Sequence, residues 1–144
     1  MLTDLQVTAI AQGILGEWKK PGFVAGRPAP PYRVILTGDS EHGQQAFAVS
    51  CARCHGGAGE GSSGDSRIGA RRLGSIVDPV YLALVSDQYL RSVTIAGRPD
   101  QGMPDWRGDS AQPLTDREVT DIVTWLASKR IANPGQPYSP HPNR

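Results

Sequence analysis

Apolar residues recur with helical spacing near the start of the chain. Within residues 2–18, Val7, Ile10 and Ile14 stand at positions i, i+3 and i+7, which share one face of an α-helix. Threonine and aspartate at positions 3 and 4 are both residues that cap a first turn well. The pattern predicts an amphipathic helix over residues 2–18.

The strongest helical pattern lies near the other end, over residues 115–130. Thr115 precedes Glu118 by three positions, which is the spacing of a capping box. The apolar stripe that follows consists of Val119, Ile122, Val123 and Leu126. We expect this helix to end among basic residues, which favour the negative end of the helix dipole.

Three more helices are expected between these two, over residues 40–54, 78–85 and 87–97. Glycine, serine and proline are frequent in the connecting segments, and a Pro-Ala-Pro-Pro run interrupts residues 19–40. Residues 131–144 form a proline-rich tail. The pattern as a whole predicts an all-α fold with an irregular linker near its start.

The two terminal helical patterns match at identical offsets. Leu2-Thr3-Asp4, Val7-Thr8 and Ile10 correspond to Leu114-Thr115-Asp116, Val119-Thr120 and Ile122. Two interpretations are open: both segments are merely amphipathic helices with similar caps, or residues 2–18 are the last helix of a preceding domain of the same kind. The second interpretation makes the chain the C-terminal part of a tandem protein.

Composition narrows the class of protein. The chain has 144 residues, a formal net charge of +1 and 38% hydrophobic residues, which indicates one globular domain and gives no electrostatic reason to expect nucleic acid as a partner. No apolar stretch is long enough to be a transmembrane segment. With 17 glycines and 12 prolines the chain has long loops, so a cofactor inside the fold is an expected source of stability.

The only two cysteines of the sequence stand in Cys51-Ala52-Arg53-Cys54-His55. This CxxCH pattern is the attachment signature of a c-type haem. Positions i, i+3 and i+4 share a helix face, so both thiols can add to the vinyl groups of one porphyrin while His55 supplies an axial ligand to the iron. The motif therefore predicts one covalent haem c.

Two other chemistries use paired cysteines. A thioredoxin-like site is typical of a βαβ unit and opens a helix, whereas this motif closes a predicted helix and enters a glycine-rich loop. A zinc site requires two further ligands, and only the distant His42 and His141 are available. The sequence therefore favours haem over both.

Met103 is the expected sixth ligand of the iron. It stands in Gly102-Met103-Pro104, within a predicted loop whose glycine and proline restrict the backbone. A thioether is a soft, neutral ligand that raises the reduction potential of a haem when paired with histidine. A methionine that merely fills the core is usually placed on a helix or strand instead. His42 and His141 are the rival ligands.

These motifs, in this order, resemble a class I cytochrome c over residues 38–130. The resemblance rests on Gly43 and Phe47 before the motif, on CxxCH itself, on Gly102-Met103-Pro104 and on Trp125 in the last helix. It implies a cytochrome c-like helical domain around one covalent haem, with the first and last helices of that domain crossing closely at Gly43 and with Phe47 packed near Trp125.

Two features depart from the family pattern. The stretch Gly69-Ala70-Arg71-Arg72-Leu73 lacks the proline of the family's Gly-Pro-x-Leu segment, whose carbonyl accepts the Nδ1–H of the axial histidine. The resemblance also leaves residues 1–37 as an N-terminal extension, made of a helix and a linker, and residues 131–144 as a tail.

The resemblance implies one-electron transfer rather than catalysis, by a free carrier or by the electron-transfer domain of a larger respiratory or other oxidoreductase system. The implied partners are a redox protein donor and acceptor, with a preceding haem domain or a membrane complex left open. Thioether attachment implies a periplasmic or otherwise extracytoplasmic location. The alternative class is a haem enzyme or a gas or peroxide sensor with a labile sixth ligand.

Overall fold

The computed structural model describes residues 2–18, 29–61, 73–108 and 113–131. Within these ranges the chain forms helices and a 3₁₀ turn but no β-strand, which confirms the all-α prediction. The helices are α1 (Asp4–Trp18), α2 (Ser40–Ser50), α3 (Ala52–His55), α4 (Pro79–Leu84), α5 (Asp87–Ala96) and α6 (Asp116–Ser128).

The helix predicted over residues 40–54 is interrupted at Cys51. Its backbone, with φ −122° and ψ −30°, leaves the helical region, although its N–H still donates to the Phe47 carbonyl as the cap of α2. The carbonyl of Cys51 then accepts hydrogen bonds from the next turn. The cysteine motif therefore forms its own short helix, α3, instead of closing a long one.

The core lies where α2 crosses α6. A Cβ atom at Gly43 would overlap the backbone carbonyl of Asp121, so the two helix backbones are in direct contact there. One turn further along α2, the ring of Phe47 packs on Trp125 with centroids 4.7 Å apart. Both rings are buried. The expected close crossing and the expected aromatic contact are confirmed. The other buried apolar residues are Ala46, Leu82, Leu90, Trp106, Val119, Ile122, Val123 and Leu126.

A fully buried carboxylate fixes the start of α2 against α6. Asp121 accepts a hydrogen bond of 2.8 Å from the backbone N–H of Asp39 and lies 2.6 Å from His42 Nδ1. Asp39 in turn caps α2, accepting from the N–H groups of Glu41 and His42 at 2.9 and 3.0 Å. These contacts set the register between the two helices.

Residues 29–37, hereafter the strap, are held against α5 and α6 by side chains that donate to backbone carbonyls. The buried Arg91 donates to the Pro31 carbonyl from Nε and Nη2, at 2.9 and 2.7 Å. Gln88 donates to Tyr32 at 2.8 Å, and Arg117 donates to the Thr37 carbonyl at 2.8 Å. Part of the predicted linker is therefore packed on the domain.

The first helix forms as predicted but its apolar face is exposed. Val7, Ile10 and Ile14 retain 51%, 51% and 45% of their surface. All residues from 2 to 17 are exposed. Within the described ranges, α1 therefore has no partner for the stripe that the sequence predicts.

We expect Gly43→Ala to lower the free energy of unfolding by about 2–3 kcal/mol, because backbone atoms of both helices would have to separate. Gly74→Ala is the matched control, since a Cβ there meets nothing within 4 Å. Urea unfolding of the haem-loaded protein, followed by circular dichroism, measures both. Equal midpoints for the two variants would contradict the close-approach explanation.

Acid stability should depend in part on Asp39. Hydrogen bonds from the N–H groups of His42 and Glu41 lower the pKa of this carboxyl below its usual value. The charged cap therefore stabilises the fold above about pH 4, and that contribution is lost as the pH falls through the folded-state pKa. We expect the urea midpoint of Asp39→Asn to fall less on acidification than that of the unmodified protein. Parallel pH profiles would count against this role.

Candidate haem site

The CxxCH motif is presented by a single helical turn. The N–H groups of Cys54 and His55 both donate to the carbonyl of Cys51, at 3.1 and 3.0 Å. Both cysteines are free thiols and are partly buried. Cys54 and His55 therefore lie on one helical turn, and Cys51 is the residue that caps it.

The chain after α3 is fixed by hydrogen bonds rather than by regular structure. Gly61 donates to the His55 carbonyl at 2.7 Å, and Ile76 donates to the carbonyl of Gly59 at 2.9 Å. A side chain at Gly59 would crowd Val77 and Ile76. The loop that follows the motif is therefore tied both to the motif and to the segment before α4.

The imidazole of His55 has an unsatisfied buried atom. Its Nδ1 is buried and has no hydrogen-bond partner among the described groups. Burial lowers the pKa of His55, which favours the neutral imidazole that binds metals. A neutral ring with Nε2 on a metal has Nδ1–H left to donate. The carbonyl expected to accept it comes from residues 69–73, of which only Leu73 lies in the described ranges.

The thiol of Cys51 does not have the properties of a redox nucleophile. Burial, followed by the nearby Cys54, raises its pKa to about 11. A thiol with such a pKa stays protonated at neutral pH, whereas a thioredoxin-like cysteine needs a thiolate. In the described part of the chain, no three His, Cys, Asp or Glu side chains are grouped to hold a metal ion. The two thiols and the imidazole are the groups that attachment of a c-type haem requires.

Met103 is held in place by its backbone. Its N–H donates to the Arg98 carbonyl at 3.0 Å, and its carbonyl accepts from the Arg98 N–H at 2.9 Å, which makes an isolated antiparallel bridge. Gly102 adopts a left-handed conformation (φ 83°, ψ 8°) that closes the turn. The Met103 side chain is partly buried. A closed turn of this kind limits the positions that the thioether can reach.

The residues after Met103 anchor this turn to the domain. The N–H of Trp106 donates to the Ile95 carbonyl at 3.1 Å, and the Trp106 carbonyl accepts from Leu114 at 2.9 Å. The indole is 9% exposed. Asp105 and Arg107 form an ion pair beside it. The turn is therefore fastened to the end of α5 and to the approach to α6.

The predicted site residues fall into two groups. Cys51, Cys54 and His55 share one turn, and Met103 belongs to the separate turn after α5. The rival ligand His42 is engaged with buried Asp121, and His141 lies outside the described residues. The bridge between Met103 and Arg98 was not predicted, although Gly97 and Gly102, which directly precede the two bridged residues, indicate a tight turn.

Comparison with known proteins identifies a family and structural relatives. The family described as "Cytochrome C oxidase, cbb3-type, subunit III" matches residues 38–126. The crystal structure of the sulfane dehydrogenase SoxCD from Paracoccus pantotrophus is similar at 20% identity with a TM-score of 0.40, over 90% of this chain and 56% of that one. The chain thus spans little more than half of that relative. Comparison with curated proteins gives no significant match.

Within the ranges that the structure describes, none of the helices has both the length and the apolar character needed to cross a bilayer.

Proposed function

We propose which residues of this chain attach its haem and which ligate the iron. The basis is that the chain belongs to the family of cytochrome c oxidase, cbb3-type, subunit III, and is therefore a c-type cytochrome of electron transport. Cys51 and Cys54 would hold one haem c through thioether bonds, and His55 and Met103 would ligate its iron. The domain passes single electrons as a carrier or as the electron-transfer domain of a respiratory or other oxidoreductase system.

The observation that carries this proposal is the α3 turn. Cys54 and the partly buried His55 end this turn, and Cys51 precedes it as the cap, so that two free thiols and an imidazole lie within five consecutive residues. The unsatisfied Nδ1 of His55 supports a histidine whose other nitrogen binds a metal. Burial raises the pKa of Cys51 and lowers the pKa of His55, which agrees with a thiol that is not a redox nucleophile and with an imidazole that can bind a metal.

The sixth ligand is supported by the turn around Met103. A thioether on a flexible loop would exchange with water or with small molecules, whereas two backbone hydrogen bonds to Arg98 restrain this one. The anchoring of Trp106 at both of its backbone groups adds to that restraint. A restrained ligand suits electron transfer, which is fastest when the protein reorganises little between oxidation states.

When bound, the haem supplies an iron that alternates between Fe(II) and Fe(III). The chain's own residues determine how readily it does so. Histidine and methionine together favour the reduced state relative to two histidines, within the span of about 0.8 V that axial ligands cover. A buried partner for the Nδ1–H of His55 would orient the ring and tune its basicity.

Location and partners follow from the same assignment. Cytochrome c domains of this family are typically extracytoplasmic, and we place this one in the bacterial periplasm. Its partners are a redox protein that donates an electron and another that accepts it. We assign residues 38–130 to the haem domain, with residues 1–37 and 131–144 as its extension and tail.

The first experiment is a pyridine haemochrome assay on the chain expressed with haem-attachment machinery. We expect a c-type α band, one haem per chain, and haem that resists extraction with acidified acetone. Cys54→Ala tests the assignment of the thiol and should remove one of the two covalent bonds, which shifts the α band. Haem that extracts from the unmodified protein would overturn the proposal.

Met103→Ala tests the sixth ligand. We expect the variant to keep covalent haem, to lose the methionine–iron charge-transfer band of the ferric spectrum and to bind carbon monoxide readily when reduced, because the sixth position becomes open. His42→Gln is the control and should keep the band, since His42 contacts Asp121. A band that survives in Met103→Ala would contradict the ligand assignment. Ready carbon monoxide binding by the unmodified protein would favour a sensor or enzyme.

A further inference from the structure

The helix α5 ends at a glycine in a conformation that other residues avoid. Gly97 has φ 67° and ψ −173°, and its N–H donates to the Val93 carbonyl at 2.8 Å. The combination of a positive φ with an extended ψ is found almost only in glycine. Glycines that end helices commonly adopt the left-handed helical region instead, so the conformation of Gly97 calls for an explanation beyond stopping α5.

Gly97 is also the point where α5 touches the segment that follows Met103. A Cβ atom at Gly97 would lie 2.5 Å from the carbonyl oxygen of Pro104, 2.6 Å from its carbonyl carbon and 2.7 Å from the nitrogen of Asp105. All three are backbone atoms, which cannot rotate away as the end of a side chain can. The end of α5 and the backbone directly after Met103 are therefore in contact, with no side chain between them.

This contact is one of three successive connections at the neck of the Met103 turn. Arg98 and Met103 exchange two backbone hydrogen bonds, and the next pair outward, Gly97 and Pro104, is in contact. Beyond that pair, the N–H of Trp106 donates at 3.1 Å to a carbonyl in the last turn of α5. The middle connection depends on close approach, so it is the one that a side chain would open.

The helix that carries this neck is itself fixed. The buried Arg91 of α5 donates to the Pro31 carbonyl at 2.7 Å and to Thr120 Oγ1 at 3.0 Å, and it pairs with Asp116. These contacts hold α5 against the strap and α6. The position of the Met103 backbone therefore follows from that of α5, and the spacing between the two is set at Gly97.

We propose that Gly97 is a positioning residue for Met103. Because Gly97 has no side chain, the Met103 turn lies directly on the end of α5, and the thioether stays within reach of the iron. A side chain at this position pushes Pro104 outward and draws the neighbouring thioether away. This inference rests on the proposed role of Met103 as an axial ligand, and it adds that α5 controls, through Gly97, whether that ligand is bound.

Gly97→Ala in the haem-loaded chain tests the proposal. We expect the variant to keep its covalent haem and its helix content but to lose the methionine–iron charge-transfer band of the ferric spectrum. It should also bind carbon monoxide readily when reduced and have a lower reduction potential, because the sixth position is open.

Gly38→Ala is the matched control. A Cβ atom at Gly38 would overlap the side chain of Thr124 on α6, so this variant also forces a close contact apart. We expect it to lower the urea midpoint while the charge-transfer band, the carbon monoxide reaction and the reduction potential stay as in the unmodified protein.

The outcomes separate this inference from the ligand assignment. A band that persists in Gly97→Ala overturns the positioning role and leaves Met103 as the ligand. Loss of the band in Gly38→Ala as well overturns it too, since any loss of stability would then release the thioether. A band absent from the unmodified protein overturns the ligand assignment itself, and this inference with it.

Hydrogen exchange in the unmodified, haem-loaded protein provides a test that needs no variant. We expect the amides of Arg98, Met103 and Trp106 to exchange as slowly as the amide of Gly97, because the turn and the end of α5 form one unit. Free exchange in the turn beside a protected Gly97 would overturn the proposal, whether or not Gly97→Ala folds.

Discussion

The contact between α2 and α6 at Gly43 is the constraint on which the rest of the domain depends. Since no side chain separates the two backbones there, the position of α2 is set by α6, and α3 follows α2 directly. Phe47 then connects the crossing to the site, because its ring lies 4.7 Å from Trp125 and 6.4 Å from His55, measured between centroids. The imidazole that we assign to the iron is thus positioned by two helices distant in sequence.

Buried polar groups set the register of this crossing. A buried charge is costly unless it is paired, and Asp121 is compensated by the Asp39 N–H and by His42. Arg91 is compensated similarly, by Asp116, by Thr120 Oγ1 at 3.0 Å and by the Pro31 carbonyl. Such groups add specificity more than stability, since a slip of one residue would leave each charge unpaired. They also explain why the strap is fixed although its sequence is typical of a linker.

The features that could be predicted from the sequence are those that depend on interactions between residues close together in the chain. The capping box of Thr115 and the one-turn spacing of the CxxCH motif involve residues within a few positions of each other. Three features were not predicted: the break at Cys51, the packing of the strap against Arg91 and the exposure of the apolar face of α1. Each depends on contacts with residues that are distant in the sequence. The turn that contains Met103 is an intermediate case. The adjacent Gly102 indicates a turn in the sequence, but the bridge between Met103 and Arg98 is seen only in the structure.

A helix cap and a buried helix face have different origins in this chain, as α1 and α6 show. In α1 the cap forms, with the Thr3 N–H donating to Gln6 Oε1 at 2.9 Å, but Val7 and Ile10 each remain 51% exposed. In α6 a capping box precedes an apolar stripe that is buried where α6 meets α2, and Gly43 lets the two backbones touch at that crossing. Contacts between neighbouring residues are therefore enough to begin a helix, whereas burial of its apolar face requires a second helix with a glycine at the crossing.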